Sequence, residues 1–147
     1  MPTDDRIARA LPIAGRAGVY RLPAGGVPAT AQAASEAGFV LARIDLDGCD
    51  SKADCLARVA AALRFPAWFG HNWDALADCL NDLSWLPGDG YVIVLEHADR
   101  FRGTAADDFA ILLEIFQEAA EEWAAEEVPL WTFVDLTIDG LAPLRSL

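Results

Sequence analysis

Basic residues are scarce in the second half of this 147-residue chain. From Phe65 onward only Arg100, Arg102 and Arg145 stand against sixteen Asp and Glu, whereas residues 1–64 hold eight Lys or Arg and seven acids. The sum is −12 at pH 7, and it belongs to the C-terminal part. Such a surface argues against a nucleic-acid or anionic-membrane partner; it suits a basic partner, or one that ordinarily binds phosphates, and its plainer use is solubility. Long apolar runs are missing too. Although 54% of residues are hydrophobic, no run nears the roughly eighteen positions of a membrane span. MPTDDRIARALPIAG lacks a basic stretch followed by an apolar one, so no secretory signal and a cytoplasmic location are expected. The three cysteines, Cys49, Cys55 and Cys79, make neither an even set nor a CxxC pair. Free thiols in a reducing compartment follow. No repeat, low-complexity tract or polar linker divides the chain, and its length fits one hydrophobic core.

What is present alternates between strand and helix signals. GVYRLP, 18–23, reads as a short edge strand or, equally, an irregular arm. Thr30 is expected to cap an alanine-rich helix ending at Gly38, followed by the strand FVLARIDL, 39–46. Ser51 and Asp54 resemble a capping box that opens a helix, ended by FPAWFG because the residue before Pro66 disfavours helix. YVIVLEH, 91–97, is a continuous apolar run suited to a strand buried on both faces. Thr104 is expected to cap a long helix with Phe109, Leu112, Leu113, Phe116, Ala120 and Trp123 on one face, before a last strand at 129–136. The order implies an α/β layer fold with a small, mainly parallel sheet of three or four strands flanked by helices.

The segment FGHNWDALADCLNDL, 69–83, carries the most information. With Asn72 as N-cap and a turn at PGDG, it predicts a helix over 73–83. Trp73, Leu76, Leu80 and Leu83 then share one side, and Asp74, Asp78 and Asp82 the other. Only Asp74 gains from the helix dipole. Each like-charge pair at i,i+4 costs about 0.2–0.5 kcal/mol, and no lysine is interleaved to offset it. An outward acidic stripe therefore points to binding, or else to an ordinary solvated face. Just upstream, AWFGHNW gathers Trp68, Phe69, His71 and Trp73 around Gly70, which permits a close approach or a positive φ. Phe69 and Trp73 are expected inside, Trp68 and His71 at the surface. Rings beside outward acids make the composition of a protein-binding patch.

The run FPAWFGHNWDALADCL resembles the barstar family of ribonuclease inhibitors. Its members carry aromatic-aromatic-Gly-x-Asn-x-Asp-Ala-Leu-x-Asp-Cys-Leu here, matched by Trp68, Phe69, Gly70, Asn72, Asp74, Ala75, Leu76, Asp78, Cys79 and Leu80. VLE in a strand and IFQEA in a helix follow in similar order, so the resemblance spans roughly residues 40–136. It implies a stoichiometric, non-enzymatic inhibitor of a small basic, extracellular-type ribonuclease, with carboxylates standing where RNA phosphates would lie, as in an immunity protein. Asp78 would be the central anion, Asp74 its neighbour, Trp68 a stacking ring, and Gly70 and Asn72 the shapers of the loop. Glu118 would be an outlying acid on the long helix. His71, Trp73, Ala77, Asn81 and Asp82 complete the expected partner-facing set.

Ala77 stands where the family carries an interface tryptophan, and the SWLPGDGY connection is longer than its counterpart. Residues 1–38 are expected as an N-terminal extension, an edge strand plus helix packed on the same domain, and 39–147 as the barstar-like domain. No cofactor, metal, nucleic acid or membrane is expected as a partner, and a monomer is. An enzyme using His71 with Asp74 and Asp78 is the other class considered; it lacks a nucleophile motif, a phosphate-binding glycine loop or HExxH. The alternative within the same fold is an interaction protein for a different basic toxin or nucleic-acid enzyme.

Overall fold

The computed structural model describes residues 5–23 and 25–135. The elements run α1 (Asp5–Ala10), β1 (Val19–Leu22), α2 (Val27–Ala37), β2 (Val40–Asp45), α3 (Lys52–Ala62), α4 (Trp73–Asp82), β3 (Tyr91–Glu96), α5 (Asp99–Thr104), α6 (Ala106–Ala125) and β4 (Leu130–Asp135). The four strands form one all-parallel sheet in the order β1-β4-β3-β2. The protein is thus α/β, with four strands rather than three. β1 and β2, consecutive in sequence, are opposite edges, so the connection through α2 crosses the whole sheet.

Period-two alternation in the strands feeds two cores. Val92, Val94, Trp131 and Phe133 point to the layer made by α1 and α2, where they meet Ile7, Leu11, Val27, Ala33 and Ala34. Trp131 satisfies its indole N–H on Leu11 O at 3.0 Å. Tyr91, Ile93, Leu95 and Val134 point the other way, into the larger core with Leu56, Val59, Leu76, Leu80, Phe101, Phe109 and Phe116. β3 and β4 are buried at nearly every position, which is why their sequences read as unbroken apolar runs. Before β3, Cβ atoms at Gly88 and Gly90 would lie 2.6 Å from Val40 and 2.8 Å from the Phe39 ring, so only glycine fits this close turn.

Two expected caps differ. α2 begins at Val27, with Gly26 as N-cap and Pro28 in the first turn, where its missing N–H is harmless. Thr30 sits inside the helix and its hydroxyl donates to Gly26 O. Likewise Thr104 ends the short α5, donating to Arg100 O, and α6 starts two residues later without a side-chain cap. In both cases threonine bonds backwards to the i−4 carbonyl, the competing use of its hydroxyl. Ser51 does cap α3, accepting from Asp54 N at 3.2 Å. The expected strand end at Leu136 and the segment to 147 lie outside the described residues.

Candidate functional site

α4 is fixed at both ends and along one side. Asn72 takes an extended backbone and its side chain accepts from Ala75 N at 2.7 Å. Leu83 ends the helix in a left-handed conformation, φ 49°, with its N–H on Cys79 O. A leucine there is strained, and complete burial of its side chain holds it. Leu76, Cys79 and Leu80 are also fully buried. The three leucines together contribute on the order of 5–9 kcal/mol by burial. Repulsion within the acidic stripe costs about 0.2–0.5 kcal/mol per pair. Packing therefore decides the orientation of the helix, and the acids follow.

Asp74, Asp78 and Asp82 are all exposed, with Asn81 and Asp82 at the exposed end. None of the three acids has a hydrogen bond or ion pair among the described residues. Ala77, between them, is half-buried. Trp73 is half-buried and carries the Lys52 ammonium 5.4 Å above its ring. Lys52 is the only lysine of the chain, and it reaches α4 from 21 positions upstream, a contact invisible in local sequence.

The preceding loop holds Phe69 in the core and leaves Trp68 64% exposed, the most exposed of the large hydrophobics among the described residues. Of the two uses open to Gly70, a close approach or a positive φ, the positive φ falls instead on His71, φ 53°, and a Cβ at Gly70 would meet Ala75 and Asn72 at 3.4 Å. Histidine tolerates this region better than most residues, and the Phe69 ring packs against it at 4.7 Å. Strained backbone of this kind is characteristic of binding loops. Glu118 is exposed on α6. One turn later, Glu122 with Trp123, Glu126 and Asn81 lines an open groove of about 410 Å³ between α4 and α6, and Trp123 ties the helices by donating to Leu80 O at 2.7 Å. Glu122 and Glu126 thus extend the acidic face; their spacing from Glu118, four and eight residues, was the available signal.

Among the described residues no three His, Cys, Asp or Glu side chains are grouped to hold a metal ion, and no helix is long and apolar enough to cross a membrane. The three thiols are buried; burial raises all of them, Cys55 to about 12, so they are packing groups.

A family model described as Barstar (barnase inhibitor) matches residues 39–135, about two thirds of the chain. The chain belongs to the barstar family. A protein of Bacillus subtilis (strain 168) named "Putative ribonuclease inhibitor YrdF" is 43% identical over 60 residues, covering 41% of this chain and 63% of that protein. The matched stretch is therefore less than two thirds of that relative. The family match begins at Phe39, next to β2, while β1, α1 and α2 precede it and complete the sheet edge and the second core. Membership points to a non-catalytic protein.

Proposed function

We propose that this protein inhibits a small basic ribonuclease stoichiometrically, by covering its active site with α4 and the loop before it. The supporting observation is the row Asp74, Asp78 and Asp82, exposed and, among the described residues, unpaired on a helix whose opposite side buries Leu76, Leu80 and Leu83. An anionic row whose spacing is fixed by the core resembles a run of phosphates, and it binds without first losing conformational freedom or breaking internal ion pairs. Asp78 is the central anion against the catalytic cations, Asp74 flanks it, Trp68 lies against the ring of a catalytic histidine, and Glu118 reaches an outlying basic residue. Gly70, His71, Asn72, Trp73, Ala77, Asn81 and Asp82 shape the remaining contact. An antitoxin or immunity role, action as a monomer, and a cytoplasmic site of action on an extracellular-type enzyme belong to the same proposal.

Titrating barnase with the protein while following RNA cleavage tests it. Activity is expected to reach zero at one inhibitor per enzyme, and Asp78→Ala to shift or abolish the endpoint. Failure of the wild type against barnase and a panel of other small basic ribonucleases overturns the proposal. One observation favours a second reading. Ala77 removes a large contact ring from the middle of α4, which suits a different basic toxin or nucleic-acid enzyme, recovered in that case by pull-down from a native lysate.

A further inference from the structure

Trp85 lies in the connection after α4, outside the residues assigned to the partner. Its indole N–H donates to Leu63 O at 3.0 Å, joining the end of α3 to the connection across 22 positions. Its ring meets Phe65 edge-on at 5.9 Å and Trp68 edge-on at 6.0 Å. Phe65 in turn packs on Phe69 at 4.9 Å, and Phe69 on His71. Every ring of the 65–71 loop is therefore linked to Trp85 directly or through one or two neighbours.

Backbone bonds do less. Among the described residues, the backbone bonds donated from the loop between α3 and α4 are Leu63 N to Val59 O, Arg64 N to Ala61 O, Phe65 N to Ala60 O and Phe69 N to Pro66 O. Nothing in that set orients the Trp68 side chain, which is mostly in solvent. A ring so exposed is free to change rotamer unless a neighbour restrains it, and ordering it on binding weakens affinity. Ala77 makes this matter, because α4 itself offers no large ring at its centre and Trp68 is the one large ring that the face exposes.

We propose that Trp85 is a positioning residue, holding Trp68 as a pre-set contact ring and so setting the affinity of the acidic face for a basic protein. The proposal rests on the reading that Trp68 and α4 meet such a partner. The longer SWLPGDG connection then has a use: it carries the brace that the loop needs once the contact ring sits on the loop rather than on the helix.

The test uses the full chain with Trp85→Leu and Trp85→Phe, each alone and combined with Trp68→Ala, and barnase as the probe. Trp85→Leu is expected to speed dissociation about tenfold. In the Trp68→Ala background the same change is expected to matter less than about twofold. Trp85→Phe keeps the ring contacts, loses the N–H bond, and falls between. Equal losses in both backgrounds overturn the proposal, since Trp85 then acts by general stabilisation or direct contact. In parallel, 5-fluorotryptophan labelling reads the order of Trp68 by ¹⁹F NMR, its resonance assigned with Trp68→Phe. That resonance is expected to shift and narrow toward a freely turning ring in Trp85→Leu, and no change overturns positioning. If wild type binds neither barnase nor any other small basic ribonuclease of the panel, the partner reading fails while the ¹⁹F result still decides the role of Trp85; if Trp85→Leu does not fold, Trp85→Phe carries both measurements.

Discussion

Around the C-terminal ends of β2 and β3, Asp45, Asp54 and Glu96 each meet a cation. Arg43 forks onto both oxygens of Glu96 at 2.7 and 2.8 Å. Arg58 grips Asp54 with two nitrogens and the carbonyls of Asp45 and Asp47 with a third. His97 meets Asp45 at 2.9 Å, and Arg100 reaches Asp50 at 3.4 Å. On α4, Asp74, Asp78 and Asp82 meet none among the described residues. The two groups differ in what holds their element. The loop after β2 buries Leu46 and Cys49 and fastens its polar turn with ion pairs and carbonyl bonds, whereas α4 is held by Leu76, Leu80 and Leu83 while its acids make no such bond among the described residues. Under the proposed function, those acids are left for a partner.

The widest separation between the two groups is expected at Asp78. Asp78→Ala should weaken barnase binding by about 2–5 kcal/mol, a range that itself rests partly on the barnase–barstar pair. Calorimetric titration measures it, and a loss under about 1 kcal/mol would remove Asp78 from the centre of the interface. Next comes Arg58→Ala, which breaks the loop's bonds and should lower unfolding free energy by about 1–2 kcal/mol in urea titrations. Binding, by contrast, should stay within about twofold, since Arg58 lies outside the partner face. A third change reverses the usual sign. Asp78→Asn removes both like-charge contacts on α4, Asp74 to Asp78 and Asp78 to Asp82, and should stabilise the free protein by about 0.4–1 kcal/mol. The same urea titration checks it; destabilisation would mean that the acids contribute to folding after all.

The smallest effect is on pH dependence. The hydrogen bond to Asp45 raises the His97 pKa, and the same bond holds the Asp45 carboxyl below its ordinary value. A raised histidine contributes fully below its ordinary 6.5 and loses the contribution as pH climbs through its folded value. A lowered carboxyl contributes above 3.8 and loses it on acidification. The pair therefore stabilises most between these two values and fades in alkali. Burial raises Asp135, so that group loses stability as pH rises from 3.8 through its folded value, a change separate from the fading of the His97 pair. Both partners of the pair are more than half exposed, so screening keeps the effect small. Melting by circular dichroism is expected at a slightly higher temperature at pH 5.5 than at pH 8. His97→Asn, which tolerates the positive φ of 56° at this position, should flatten that difference; an unchanged difference would assign it elsewhere.

Much of the geometry of the proposed partner face was legible because it depends on short-range rules. The Asn72 and Ser51 caps, the inward leucines and the outward acids of α4 all follow from offsets of three and four residues. The two central strands were legible from their unbroken apolar runs. α1 and α5 were not, since six residues give less than two helical turns and no readable period. Thr30 and Thr104 misled because a threonine hydroxyl serves equally well as a cap or as a back-bond to the previous turn.

The sequence by itself determined which residues of α4 face inward, which face out, and that the outward ones are acids, because helix periodicity leaves no other arrangement once the leucines seek the core. Only the tertiary structure decided the edge-to-edge crossing from β1 to β2, the placing of Lys52 on Trp73, and the bracing of Trp68 by Trp85. The two side-chain contacts join residues 21 and 17 positions apart, beyond any helix or strand offset, and they exist only once the fold has brought those segments within the reach of a side chain.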